Sequence, residues 1–188
     1  MTARWVVEVV QPERDLTITW QPISLLFKNQ PEPDSEYYAP VVQTHNLLRV
    51  MESVRADLGD DAAFSFYWEA GRTVHHDQEL GKPAAAILEA AGLSAEHAGA
   101  YDDEKWDAEI RTRMDQGLAL VGNDVGTPII AFDNDGEKLG IFGPVISRVP
   151  RGDDGLKLWD AMVTMSTMPM FWELKRTRTE GPQFGDRP

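Results

Sequence analysis

Cysteine is absent from this chain of 188 residues. That excludes a disulfide framework, a Cys-ligated zinc or iron–sulfur site, and thiol catalysis by the residues present. Long apolar runs are lacking too: no stretch approaches the roughly 18 to 20 apolar residues that a bilayer-crossing helix needs. Positive charge is scarce. Eighteen Lys and Arg against 31 Asp and Glu leave a net charge of −13, the reverse of the clustered cations that release counterions from nucleic acid. No GxGxxG, P-loop or GxSxG sequence occurs. Residues Met1–Val10 carry one cation and place Glu8 inside their apolar run, which makes a poor secretion signal. The expectation is a cytoplasmic protein without nucleic-acid or membrane partners.

What is present suits an ordinary folded core: 42% of residues are apolar, with six Trp. Residues 2 to 10 look like the back half of a helix. Leu16, Ile18 and Trp20 alternate with polar residues, the pattern of a strand. Ile23 to Phe27 is an apolar connector, and Asn29 to Asp34 a Pro-rich loop. Helical grammar follows over residues 39–121. Val42, Leu47, Val50, Met51 and Val54 form a stripe that stops near Gly59. Asp60 or Asp61 caps a helix bearing Phe64, Tyr67 and Trp68. Pro83 and Gly92 bracket an Ala-rich helix. Ser94 caps a short helix, and Asp102 caps a long one carrying Trp106, Ile110, Met114, Leu118 and Val121. The grammar then returns to β: Pro128 to Phe132 and Lys138 to Phe142 flank Asp135-Gly136, a strong hairpin signal. Arg151 to Asp154 opens a last helix with Leu156, Trp159, Met162 and Val163 inward. Phe171 and Leu174 extend an apolar face, and Lys175 to Pro188 is a polar tail.

Several chemically suggestive groups have plain explanations. His75 and His76 are adjacent, so on a helix they point apart and do not share a metal easily. They read as a helix end, and His45 and His97 as isolated side chains. Asp133-Asn134-Asp135-Gly136 imitates the start of a calcium loop, but the position of the bidentate Glu is Phe142. Arg151-Gly152-Asp153 reads as a helix cap. Trp68, Trp106 and Trp159 lie on apolar stripes and are assigned to the core.

One order of elements emerges: α-β, a helical block, a β-hairpin, α. A strand placed in front would complete the α/β topology of a thioredoxin-like fold with an all-helical insertion. The run Val121-Gly-Asn-Asp-Val-Gly-Thr-Pro-Ile-Ile130 carries the likeness further. So do Phe142-Gly143-Pro144-Val145-Ile146-Ser147, Pro150-Arg151-Gly152, Leu158-Trp159-Asp160 and Glu173 to Glu180, with Arg4-Trp5 and Ile23-Ser24-Leu25. Together they resemble the DsbA-like (disulfide-oxidoreductase A) proteins typified by mycothiol-dependent nitroreductases, over nearly the whole chain.

That resemblance implies a thioredoxin-like domain from residues 1–38 and 122–188, and a helical insertion of residues 39–121. It implies a cis Thr127-Pro128 bond whose neighbours offer backbone groups to a thiol substrate. The thiol- and substrate-binding candidates are Thr127, Pro128, Gly126, Asn29 and Tyr38, with Tyr37 in the same loop. Mycothiol is the implied co-substrate, with no tightly bound cofactor, and a small-molecule or disulfide substrate; a homodimer is an open alternative. The family's first strand and its Cys-Pro-x-Cys-like segment would precede Met1. They are missing from this sequence, so no catalytic residue is assigned, and a late start or a shortened chain is the expected reason. The resemblance also places that strand between Leu16–Trp20 and Pro128–Phe132, so these two segments should not pair. Two rivals stand beside this reading. One is an enzyme like kappa-class glutathione transferase or 2-hydroxychromene-2-carboxylate isomerase, with Ser at the helix start. The other is a redox-inactive thioredoxin-fold binding module.

Overall fold

Apolar periodicity of the helical kind dominates the middle of the chain, and the computed structural model, which describes residues 1–188, is accordingly mostly helical with one small sheet. In chain order the elements are α1 (Thr2–Trp5), continued by a more loosely wound turn (Val6–Val10), α2 (Leu25–Asn29), α3 (Tyr38–Leu58), α4 (Asp60–His75) and α5 (Ala84–Ala90). Two tight turns (Ala95–Asp102 and Glu104–Trp106) lead into α6 (Asp107–Val121), then β1 (Ile129–Asn134), β2 (Glu137–Phe142) and α7 (Gly152–Ser166). The chain divides into two compact units. The first is Met1–Ile18 with Gly117–Gly185, the second Thr19–Gln116 with Asp186–Pro188.

The first unit is built around α1. Trp5, Val6, Val9 and Val10 are buried, and Leu16, Ile18, Ile146, Val149, Leu158 and Trp159 pack on them. The Trp5 ring meets Trp159 edge-on at 5.9 Å, and its indole N–H donates to the Gly155 carbonyl at 3.1 Å. α7 approaches this closely because residue 155 is glycine. A Cβ there would lie 2.7 Å from Val9 Cγ1 and 2.8 Å from the Pro150 carbonyl oxygen.

β1 and β2 form an antiparallel hairpin, Ile129 opposite Phe142 through Asn134 opposite Glu137. Its two-residue turn puts Asp135 at φ 53 and Gly136 at φ 87, the doubly positive geometry that suits the twist of adjoining strands. The Asp133 carboxylate accepts from the Gly136 N–H at 2.8 Å, so this acidic run caps its own turn.

Helix α3 gives the second unit its core through Leu47, Val50, Met51 and Val54, packed with Ala63, Phe66, Ala84, Ile87, Leu88 and Ala100. Gly59 ends α3 at φ 86 and at once begins α4. Trp20 stacks on Phe64 at 5.4 Å and Tyr67 at 5.2 Å. Beneath it, Arg55 donates to the Trp20 carbonyl at 2.6 Å and pairs with buried Glu52 at 3.1 Å; Arg113 reaches the same carboxylate at 3.0 Å. Burial pushes the Glu52 carboxyl up against the opposing pull of the two guanidiniums.

Several sequence expectations are corrected. Leu16 to Trp20 joins no ladder, because the sheet contains β1 and β2 alone. The burial alternation is there, with Leu16, Ile18 and Trp20 half-buried and Thr17 and Thr19 exposed, but alternation without a partner edge does not make a strand. The connector Ile23 to Phe27 contains the start of α2, nucleated by Ser24, whose hydroxyl accepts from the Phe27 N–H at 3.1 Å. Gly59 rather than Asp60 or Asp61 holds the cap position of α4, and both aspartates sit in its first turn. Asp103, not Asp102, caps the turn that leads into α6.

Trp68, Trp106 and Trp159 are half-buried, while Trp5 and Phe66 take the fully enclosed positions. α7 ends at Ser166, ahead of Pro169, and the expected apolar face beyond it lies in solvent: Met170 is 76%, Trp172 87% and Leu174 77% exposed. The polar tail is pinned in places, with the Gln183 N–H on the Ser147 carbonyl at 2.6 Å and Arg187 on Glu69 at 2.6 Å and Asp77 at 2.9 Å.

Two glycine substitutions separate close approach from intrinsic propensity. Gly155→Ala should destabilise the chain by about 1–3 kcal/mol, since the added methyl meets backbone that cannot yield. Gly71→Ala, inside α4 with nothing within 4 Å of the new Cβ, should stabilise it by about 0.5–1 kcal/mol. Urea unfolding of the two variants reads both signs.

Candidate functional site

Residues Gly126, Thr127 and Pro128 form the approach to β1. Thr127 and Gly126 are exposed, Pro128 is half-buried, and the Thr127–Pro128 peptide is cis. The Pro128 carbonyl accepts from the Gly143 N–H at 2.8 Å, extending the hairpin ladder by one pair. Gly143 itself sits at φ 104 and precedes a second cis bond, Gly143–Pro144. The Pro144 carbonyl in turn accepts from the Thr2 hydroxyl at 2.7 Å. A continuous relay therefore joins Pro128, Gly143, Pro144 and the first turn of α1 within one unit. On its inner side a Cβ at Gly126 would stand 3.7 Å from the Phe142 ring, in ordinary contact.

Charged groups gather at this end of α1. A helix start presents free N–H groups and the positive end of its dipole. Burial, with Arg4 nearby, lowers the Met1 amine below its ordinary pKa. Arg4 is itself held by Glu8 at 2.5 Å and donates to the Phe184 carbonyl at 2.6 Å, while Arg151 reaches Glu8 at 2.6 Å. The sequence reading singled out Thr127 and Pro128 but not Thr2, Gly143 or Pro144 as site residues. The signal was the second X-Pro pair at Gly143-Pro144, which it used only as a mark of kinship.

Asn29 and Tyr38 belong to the second unit. Asn29 ends α2, just before Gln30 in the left-handed conformation at φ 44, and Tyr38 opens α3. Asn29 is exposed and Tyr38 half-buried, and Tyr37 beside it is 66% exposed. They flank one Pro-rich loop within that unit.

Behind this loop lies a cluster that sequence reasoning passed over by treating His45 as isolated. His45 is buried. Its Nδ1 is 2.9 Å from the Ser24 hydroxyl and its Nε2 is 3.1 Å from Asp107. Arg49 grips the same carboxylate at 2.6 and 2.8 Å. A Ser–His–Asp chain invites comparison with a nucleophile relay. Here, however, Ser24 is 0% exposed and its oxygen already accepts from the Phe27 N–H. The cluster ties α2 and α3 to the first turn of α6. Its members lie far apart in sequence, and only the fold reveals it. His75 ends α4 with His76 following, and no group of three or more His, Asp or Glu side chains is arranged to hold a metal ion.

Comparison with protein families gives a match over residues 1–176 to the family described as Rv2466c-like, mycothiol-dependent nitroreductase Rv2466c.

The His45 cluster predicts an acid-sensitive fold. Burial lowers the His45 pKa below its ordinary 6.5, Arg49 and Arg111 push the same way, and Asp107 only partly opposes them. A depressed value favours the neutral ring in the folded state. The stabilisation is therefore complete above about pH 6.5 and is lost as pH falls through the lowered folded value. Asp107 adds to the loss at lower pH: burial raises its pKa, but the Arg49 hydrogen bonds outweigh that and hold it below its ordinary range. Chemical denaturation between about pH 7 and 5 should show stability falling, and His45→Gln should flatten that slope.

Proposed function

Because the chain belongs to the Rv2466c-like, mycothiol-dependent nitroreductase family, we propose that its Thr127–Pro128 approach is the thiol-binding half of an oxidoreductase site on a thioredoxin-like, DsbA-type fold. The observation that carries this reading is the relay from Pro128 through Gly143 and Pro144 to Thr2. It sets an exposed backbone edge beside the start of α1.

That arrangement suits thiol chemistry. Exposed N–H and C=O groups around Thr127 hydrogen-bond an extended thiol such as mycothiol much as a short added strand would. The positive helix end stabilises a thiolate by hydrogen bonds and by its dipole, lowering the thiol pKa. In exchange, a thiolate attacks one sulfur of a disulfide, a new S–S bond forms, and the other sulfur leaves as thiolate. Reduction of a nitro group to nitroso draws two electrons and two protons from two thiols, which leave as one disulfide with one water. Residues 1–188 contain no cysteine, and their part in this proposal is to bind and orient a thiol. Asn29 and Tyr38 are proposed to contact the organic substrate, and residues 39–121 to act as the family's helical insertion.

Two measurements test the proposal. Titration with oxidised mycothiol should shift the amide resonances of Gly126, Thr127 and Ile129. Thr127→Pro, which removes one N–H, should weaken binding by roughly five- to tenfold, the equivalent of one hydrogen bond of about 1 kcal/mol. Shifts confined to other regions would overturn the site. The chain by itself should reduce neither disulfides nor nitroaromatics above the mycothiol-only rate, and a rate matching a Cys-bearing relative would overturn the mechanism.

A further inference from the structure

An ionised carboxylate can only accept hydrogen bonds, and that fixes the tautomer of His45. Asp107 is held in its charged form by the Arg49 guanidinium, so the Nε2 that lies 3.1 Å from it carries the ring proton. Nδ1 is then an acceptor, and the Ser24 hydroxyl 2.9 Å away donates to it. The same hydroxyl oxygen accepts from the Phe27 N–H at 3.1 Å, which caps α2. The neutral ring thus sets the direction of every bond from Asp107 to the helix cap.

One proton reverses the middle link. In the imidazolium both ring nitrogens donate. Nδ1–H then faces the Ser24 oxygen, and the hydroxyl must turn its own hydrogen elsewhere. Ser24 is 0% exposed, and its hydroxyl bonds only the ring and the Phe27 N–H, so the displaced hydrogen finds neither water nor a second acceptor unless α2 moves. Charge acts in the same sense. Around the ring, α6 presents Asp107 and Arg111 and α3 presents Arg49, which Glu104 and Asp102 also face. From α2 come the neutral Ser24 and Phe27. The Phe27 ring lies 4.4 Å from His45 and carries the Arg111 guanidinium 4.0 Å over its centre. An imidazolium sets a second cation against that ring.

Little else holds α2. It has five residues and buries none of their side chains fully, far short of a helix that is stable alone. Its internal bonds are few, Lys28 N–H on the Ser24 carbonyl at 3.0 Å and Gln30 N–H on the Leu26 carbonyl at 3.1 Å among them. Its last residue is Asn29. We infer that His45 is a positioning residue for Asn29 and works as a proton-operated latch: the neutral ring holds the Ser24 cap and with it α2, and the imidazolium lets residues 24–30 open while the rest of the unit stays folded. Burial keeps the ring neutral below its ordinary range, so the latch is closed at neutral pH and opens as pH falls through the lowered value. That the latch serves a binding site rests on the proposed contact of Asn29 with the organic substrate; the latch itself does not.

The test is NMR of the full chain from about pH 7.5 to 5, with nitrobenzene, a neutral nitroaromatic, as the binding probe. At the upper end the His45 ring should show a protonated Nε2 and a bare Nδ1. Amide protection of Phe27, Lys28 and Gln30 should fall at least about tenfold in step with the ring's titration, with Val50 and Ile110 unchanged. Ser24→Ala removes the donor to Nδ1, so the ring should titrate at higher pH and those three amides should be unprotected throughout. Nitrobenzene affinity should fall as the latch opens, and Asn29→Ala should remove that pH dependence. A protonated Nδ1 in the neutral ring, α2 protection that ignores the titration, or a His45 midpoint indifferent to Ser24→Ala would each overturn the latch. A latch that opens with no change in nitrobenzene binding would instead overturn the reading of Asn29 as a substrate contact.

Discussion

The approach of α7 onto α1 is the constraint on which the first unit rests. The two elements meet where Trp5 is fully buried, and the indole finds both its apolar neighbour, Trp159, and its hydrogen-bond acceptor, the carbonyl of Gly155. A buried indole N–H without a partner costs on the order of 1–3 kcal/mol, so the acceptor matters as much as the ring's area. With α1 held in place, Thr2 is fixed against Pro144, and Pro144 follows the residue that pairs with Pro128. A packing choice at residue 155 therefore reaches the exposed edge at Thr127 through three short links.

The second unit is organised by buried charge as well as by apolar stripes. Glu52 and Arg55 lie under Trp20, and Asp107 gathers Arg49 and His45 from one helix. The carboxylates and guanidiniums among them remain charged in the interior only when their partners come with good geometry, while His45 is favoured as the neutral ring. They select one arrangement of the helices over others of similar apolar content. The same demand makes the unit sensitive to protonation, since an uncompensated imidazolium or a neutral Asp107 would leave the remaining charges unpaired.

Function in this family turns on sulfur, and the chain contains none in a reactive form. Under the proposal made above, its residues would offer a thiol the exposed backbone around Thr127.

Local chemistry decided much of this, and the sequence displays it. Asp135-Gly136 dictates the hairpin turn, Gly59, Gly92 and Gly122 stop their helices, and the Thr127-Pro128 and Gly143-Pro144 pairs mark the loops that lead into and out of the hairpin ladder. These are properties of a few adjacent residues, set by backbone sterics, so they survive without knowledge of the remainder. Whether Leu16–Trp20 becomes a strand was decided elsewhere. The alternation fixed which side chains face inward, but a ladder needs a second edge that no local pattern supplies. In the same way His45 looks solitary in sequence. Its partners Ser24 and Asp107 lie 21 and 62 residues away, and only the packing of α2, α3 and α6 brings their dipoles and charges within hydrogen-bonding reach.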